Sequence, residues 1–144
     1  MPIDFVSLHK SWFMQLMDTI KITKAPTSKK MSVDFNNLGF GNYFTDHMFV
    51  ADYEDGKWVN AEIVPYGPIS FEPALSAIHY GQSIFEGIKA YRMKDGSAAI
   101  YRPFENMKRF NRSALRMEMP EVPEELFIGG IKKFFSTFYF GLIQ

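Results

Sequence analysis

The residues able to do chemistry are few in this chain, and their spacing limits what each can do. His9, His47 and His79 are too far apart to share a metal at ligand spacing, so no metal site is expected. There is no cysteine, which removes disulfides, thiol nucleophiles and thiolate ligands together. The stretch Gly81 to Gly87 holds Ser83, but no Gly-Lys-Ser/Thr ending follows, as a phosphate loop would need. Ser83 also has no visible base beside it to raise its nucleophilicity. Asp46 and Glu86 are one conceivable acid–base pair, although solvated or structural carboxylates account for them as well.

Those residues must be carried by elements that the sequence also outlines. At 144 residues the chain has the length of one domain, and with 47% apolar and 17% aromatic residues it can bury a core. Sixteen basic residues balance sixteen acidic ones with no basic stripe, so nucleic acid is not an expected partner. No run approaches the ~20 apolar residues of a membrane span, and Met1 to Met17 lacks the plan of a secretory signal, so a cytoplasmic protein is expected. Residues 44–53 and 57–65 are rich in β-forming side chains and flank Asp55-Gly56, a hairpin signal. Residues 84–93 have the composition of a buried strand, and Asp95-Gly96 turns them toward a further strand at 97–102. Pro103 suits a first helical turn, after which Phe104, Met107, Phe110, Ala114 and Met117 recur at helical spacing, which predicts a helix near 104–118. Arg109 falls on the opposite, polar face. Pro120 and Pro123 end that helix, and another begins near Glu124. The pattern predicts an α+β fold with a largely antiparallel sheet flanked by helices.

The two ends read differently from the middle. Residues 1–33 form an N-terminal arm, with an amphipathic stretch over 1–16 and a polar linker after it, and order is expected to be poor there. Residues 34–133 form the domain. Residues 134–144, from Phe134 on, carry no charge and show neither a polar face nor a cap, so they read as an atypical apolar tail.

Three blocks resemble a known family. Asn37-Leu38-Gly39-Phe40-Gly41 with Phe44-Thr45-Asp46-His47-Met48 resembles the opening strand of branched-chain amino-acid aminotransferases. His79-Tyr80-Gly81-Gln82-Ser83-Ile84-Phe85-Glu86-Gly87-Ile88-Lys89-Ala90-Tyr91 is similar to their hallmark segment. Tyr101-Arg102-Pro103, Asn106-Met107-Lys108-Arg109 and Arg112-Ser113-Ala114 are similar to the next block. The resemblance spans about Asp34 to Ile131, the first third of such an enzyme. It implies the small N-terminal domain of the fold type IV aminotransferase fold, facing substrate and cofactor, in a homodimeric protein that uses pyridoxal 5'-phosphate. It implies that Arg109 binds the cofactor phosphate, that Glu86 lies near the cofactor, and that Phe40, Tyr80 and Phe85 line the pocket for Leu, Ile or Val. His79 and Lys89 are expected to be structural or solvated.

The resemblance also implies what these residues do not supply. Transamination needs a lysine that forms a Schiff base with the cofactor and moves the proton. In the family it lies downstream, in a larger domain. Lys89, Lys94, Lys108, Lys132 and Lys133 do not stand in its motif, so no catalytic residue is expected here and the chain alone is expected to be inactive. Three functions remain in view. The first is a truncated branched-chain transaminase passing amino groups from Leu, Ile or Val to 2-oxoglutarate. The second is a non-catalytic fragment that serves only for association. The third is a related class IV enzyme, a D-amino-acid aminotransferase or an aminodeoxychorismate lyase; the Phe44 to Met48 block favours the branched-chain branch.

Overall fold

The computed structural model describes residues 20–94 and 98–138. The expectation for residues 1–16 and the end of the tail from 139 onward lie outside the described residues. The described residues form two compact units, the first built from residues 20–66 together with 129–138, the second from residues 67–128.

In the first unit a three-stranded sheet has the order β1-β3-β2, with β1 at Lys21–Ile22, β2 at His47–Glu54 and β3 at Lys57–Pro65. β2 and β3 are antiparallel, with His47 opposite Pro65 and Glu54 opposite Lys57. Asp55 and Gly56 both have positive φ, 49° and 79°. That is the requirement of the tight hairpin turn whose twist matches the strands. The register slips between Val50 and Asp52, and Asn60 takes φ 52° beside the slip, with its amide donating to Asp52 Oδ2 at 3.1 Å. Asn tolerates the left-handed region better than most residues, so β3 absorbs one extra residue as a bulge. Ile63, fully buried on the central strand, anchors this unit's core with Ile20. The stretch 20–33, assigned above to a poorly ordered arm, is tied to the sheet. β1 pairs parallel with β3, the Thr23 N–H donates to Ile63 O at 2.8 Å, and the Ala25 N–H donates to His47 Nε2 at 2.8 Å.

The second unit starts with a short helix, α1, at Ser76–Tyr80, closed by Gly81 in the left-handed region at φ 63°. An antiparallel pair follows, β4 at Ala90–Arg92 and β5 at Ala98–Ile100. Then comes α2, Pro103–Arg116. Its end is a Schellman motif: the Met119 N–H donates to Ala114 O, the Glu118 N–H donates to Leu115 O, and Glu118 takes φ 53°. Asn111 clasps the chain beyond, donating to Val122 O at 2.8 Å and accepting from the Val122 N–H at 2.9 Å. The core here is Ala114, Leu126 and Ile128, with the rings of Phe110 and Phe127 5.5 Å apart.

The α+β class is as expected, with mixed pairing in two sheets rather than one largely antiparallel sheet. Two elements differ from the sequence reading. Of residues 84–93 only 90–92 form a strand, because 83–89 find no ladder partner among the described residues. The last helix, α3, runs Glu124–Phe138 and so takes in the start of the predicted tail. Phe134 and Phe135 there are half-buried, side by side with ring centroids 6.1 Å apart. Gly130, on the same helix, lies so close to the Phe49 ring that a Cβ would meet it at 2.7 Å.

Candidate functional site

Between α1 and β4, residues 82–89 of the hallmark segment are extended without being part of a sheet. From Gly81 to Ala90 exposure alternates strictly: Gln82, Ile84, Glu86, Ile88 and Ala90 are half-buried, while Ser83, Phe85, Gly87 and Lys89 are exposed. A period of two is the mark of an extended backbone. What holds it is α2. Gln82 Nε2 donates to Met117 O at 2.7 Å at the C-terminal end of that helix, and Asn106 Nδ2 donates to Gly87 O at 3.2 Å nearer its start.

Glu86 is the centre of this contact. Its side chain is only 6% exposed. Arg109 Nε donates to Oε2 at 2.8 Å, Arg109 Nη2 donates to Oε1, and Asn106 Nδ2 donates to Oε1 at 2.9 Å. Asn106 and Arg109 are three residues apart on α2 and therefore on one helix face. The guanidinium beside Glu86, with help from the Asn106 amide, overcomes the cost of burial and holds its carboxyl at about 2. Arg109, 59% exposed, is itself pushed further into its charged range by the same carboxylate.

Asp46 and Glu86, the conceivable acid–base pair, each have partners of their own. Asp46 belongs to the first unit, accepts from the Lys29 N–H at 2.9 Å, and is lowered by hydrogen bonds from the Ser28 side chain and that N–H. Both carboxylates are held ionised, so neither keeps a proton to give at neutral pH. His47 is buried, and burial lowers its pKa. His79 is tied to Pro73 O at 2.6 Å. Among the described residues no group of three His, Asp or Glu is placed to hold a metal. No helix among them is long and apolar enough to cross a membrane.

The three aromatic candidates are not core residues. Tyr80 is 86% exposed and Phe85 92%, both on the second unit, and Phe40, in the first, is fully exposed. Phe40 stands in a loop, not a strand, between Gly39 and Gly41, whose φ values of 64° and 73° only glycine adopts freely. Sequence reasoning brought Glu86 and Arg109 forward separately and missed the residue that joins them to the backbone, Asn106. The spacing of Asn106 and Arg109 on one helix face was the available signal.

This is a small α+β chain that presents an oriented arginine and bare aromatic rings. No protein-family model matches it. Curated proteins do. It is 49% identical over 119 residues to a probable branched-chain-amino-acid aminotransferase of Staphylococcus aureus, covering 82% of this chain and 33% of that protein. It is 53% identical over 98 residues to branched-chain-amino-acid transaminase 1 of Bacillus subtilis, covering 67% of this chain and 28% of that protein. It is 50% identical over 102 residues to a branched-chain-amino-acid aminotransferase of Mycolicibacterium smegmatis, covering 70% of this chain and 28% of that protein. The chain is a homologue of the branched-chain-amino-acid aminotransferases, and it spans about a third of the length of these relatives.

Proposed function

We propose that these residues are the small, substrate- and cofactor-facing N-terminal domain of a fold type IV branched-chain aminotransferase. In the whole protein this domain works in amino transfer between Leu, Ile or Val and 2-oxoglutarate, in a homodimer with pyridoxal 5'-phosphate. The observation that carries the reading is the arginine of the family's third block, oriented by the glutamate of its hallmark segment and left open to an anion. Arg109 fits the cofactor phosphate: Nε and Nη2 are taken by Glu86, while Nη1 has no hydrogen-bond partner among the described residues. A guanidinium edge free at the surface is the donor set a phosphate oxygen pair takes. When bound, the cofactor supplies the electron sink on which amino transfer depends.

The chain's own residues would bind and exclude. Arg109 would hold the phosphate, and it keeps its charge at any working pH. Phe85 and Tyr80 are bare rings on the same unit as Arg109, and Phe40 is a bare ring on the other unit. Such rings hold a branched aliphatic side chain by apolar burial at ~25 cal/mol per Å² and shed its water. One methylene is worth only about 1–3 kcal/mol in an apolar pocket, so Leu, Ile and Val are all accepted. Glu86 acts on Arg109 rather than on the reacting atoms. One exposed arginine–phosphate contact is worth about 0–1 kcal/mol, so a polypeptide of these 144 residues by itself is expected to show no turnover.

The test is a graft. The 98 residues matched in the Bacillus subtilis relative are replaced by those of this chain, and leucine-dependent glutamate formation from 2-oxoglutarate is measured. Saturable activity is expected. A folded chimaera that does not transaminate leucine contradicts the reading.

A further inference from the structure

Glu86 lies where it would ordinarily be an obstacle, a carboxylate beside a cation meant for an anion. Its geometry argues for a different role. A guanidinium has two edges that can bind an oxyanion in bidentate fashion, Nε with Nη2 and Nη1 with Nη2. Glu86 takes the first through both of its oxygens. The carboxylate is itself fixed, because its side chain is buried and Asn106 Nδ2 donates both to Oε1 and to Gly87 O, one residue along. The arginine side chain has many rotamers to lose, and a free surface arginine loses them on binding an anion. Here they are lost on folding.

We propose that Glu86 and Asn106 are positioning residues for Arg109: Asn106 locks the Glu86 carboxylate, Glu86 holds the Nε edge, and the Nη1–Nη2 edge is presented ready-made to a phosphate dianion. This rests on the reading of Arg109 as a phosphate ligand. Neither residue touches the anion. The sign of the effect separates orientation from simple charge. By charge alone, removing Glu86 strengthens anion binding; by orientation, it weakens binding.

Inorganic phosphate is titrated into the full 144-residue chain at constant ionic strength, and the arginine side-chain N–H resonances are followed by NMR. In the wild type the Arg109 Nε–H signal, bonded to Glu86, stays sharp at neutral pH, and phosphate moves the Arg109 Nη signals. Glu86→Gln and Asn106→Ala each reduce the phosphate-induced shift of the Arg109 Nη signals at a given phosphate concentration and broaden the Nε–H signal. Asn106→Ala changes no charge, so it tests orientation even where Glu86→Gln disturbs folding. Glu105→Gln is the charge control: Glu105 is paired with Lys108 at 2.9 Å and not with Arg109, so its loss tightens phosphate slightly. The proposal is overturned if Glu86→Gln tightens phosphate as Glu105→Gln does, if Asn106→Ala leaves both the affinity and the Nε–H signal unchanged, or if phosphate does not move Arg109 in the wild type. Phosphate binding is read here without transamination. An inactive graft with these shifts intact therefore removes the functional reading alone, and an active graft with Glu86→Gln tightening phosphate removes only the positioning role.

Discussion

Replacing Arg109 by alanine should cost stability as well as any anion, because Glu86 would stay behind in a place built for a pair. The Glu86 carboxyl lies at about 2 rather than 4.5, with Arg109 as the largest cause. At ~1.4 kcal/mol for each tenfold change in proton affinity, the surroundings favour the charged form by on the order of 3 kcal/mol. Breaking a fully buried ion pair costs about 3–5 kcal/mol. Arg109, however, is 59% exposed, and water enters the vacated place. The loss at neutral pH is therefore expected to fall well short of either figure, because solvent screens the exposed guanidinium. The assay is urea unfolding followed by circular dichroism on four proteins: wild type, Arg109→Ala, Glu86→Gln and the double variant. The double variant should recover at least half of the Arg109→Ala loss, since no stranded charge remains. The pH dependence follows from the sign of the shift. A carboxylate depressed on folding contributes stability above 4.5 and loses it as pH falls from 4.5 toward about 2. That acid loss should shrink in Glu86→Gln. If the double variant is as unstable as Arg109→Ala, or the acid limb is unchanged by Glu86→Gln, the buried-pair reasoning is wrong.

Three more outcomes follow from single positions. Glu118 closes α2 at φ 53°, a conformation that costs an L-residue roughly 1–2 kcal/mol; Glu118→Gly should raise the urea midpoint, by about 0.5–1 kcal/mol after the entropy of glycine is counted. Gly130→Ala should destabilise by about 1–3 kcal/mol, the reverse of the usual helix preference, because its Cβ meets the Phe49 ring at 2.7 Å; a stabilised variant would show that the ring moves aside freely. Burial lowers His47 below 6.5, and its Nε2 accepts the Ala25 N–H, so the folded chain binds fewer protons than the unfolded one. Stability should fall as pH drops below 6.5, and His47→Gln should flatten that slope in a urea titration across pH.

The elements legible in the sequence were those set by local rules. Asp55-Gly56 dictates its hairpin through two positive φ values, and Pro103 with the apolar stripe after it dictates α2, found at 103–116 against an expected 104–118. Residues 84–89 of the strand expected at 84–93 lie extended without a ladder, because their partner is not a strand: the side chains of Gln82 and Glu86 bind α2 instead. Composition registers the extended backbone and is silent on what lies beside it. The apolar run at Phe134 lacks a polar face, yet 134–138 continue α3, and Phe134 and Phe135 are half-buried in it. Tertiary packing overrides a weak periodic signal there. Of the site, Arg109 and Glu86 were visible as motif residues. That they form one unit depends on a 23-residue separation closing in space, which no spacing rule reveals.

In the proposed reading, Arg109, held by Glu86, anchors the phosphate of the cofactor in a branched-chain aminotransferase. Cofactor retention by the grafted enzyme tests it most directly. The chimaera, its Arg109→Ala variant and its Glu86→Gln variant are loaded with pyridoxal 5'-phosphate and dialysed, and the cofactor remaining is measured by absorbance after release in alkali. Full retention by the chimaera, large loss from Arg109→Ala and intermediate loss from Glu86→Gln are expected. Equal retention by all three, in folded proteins, would contradict it.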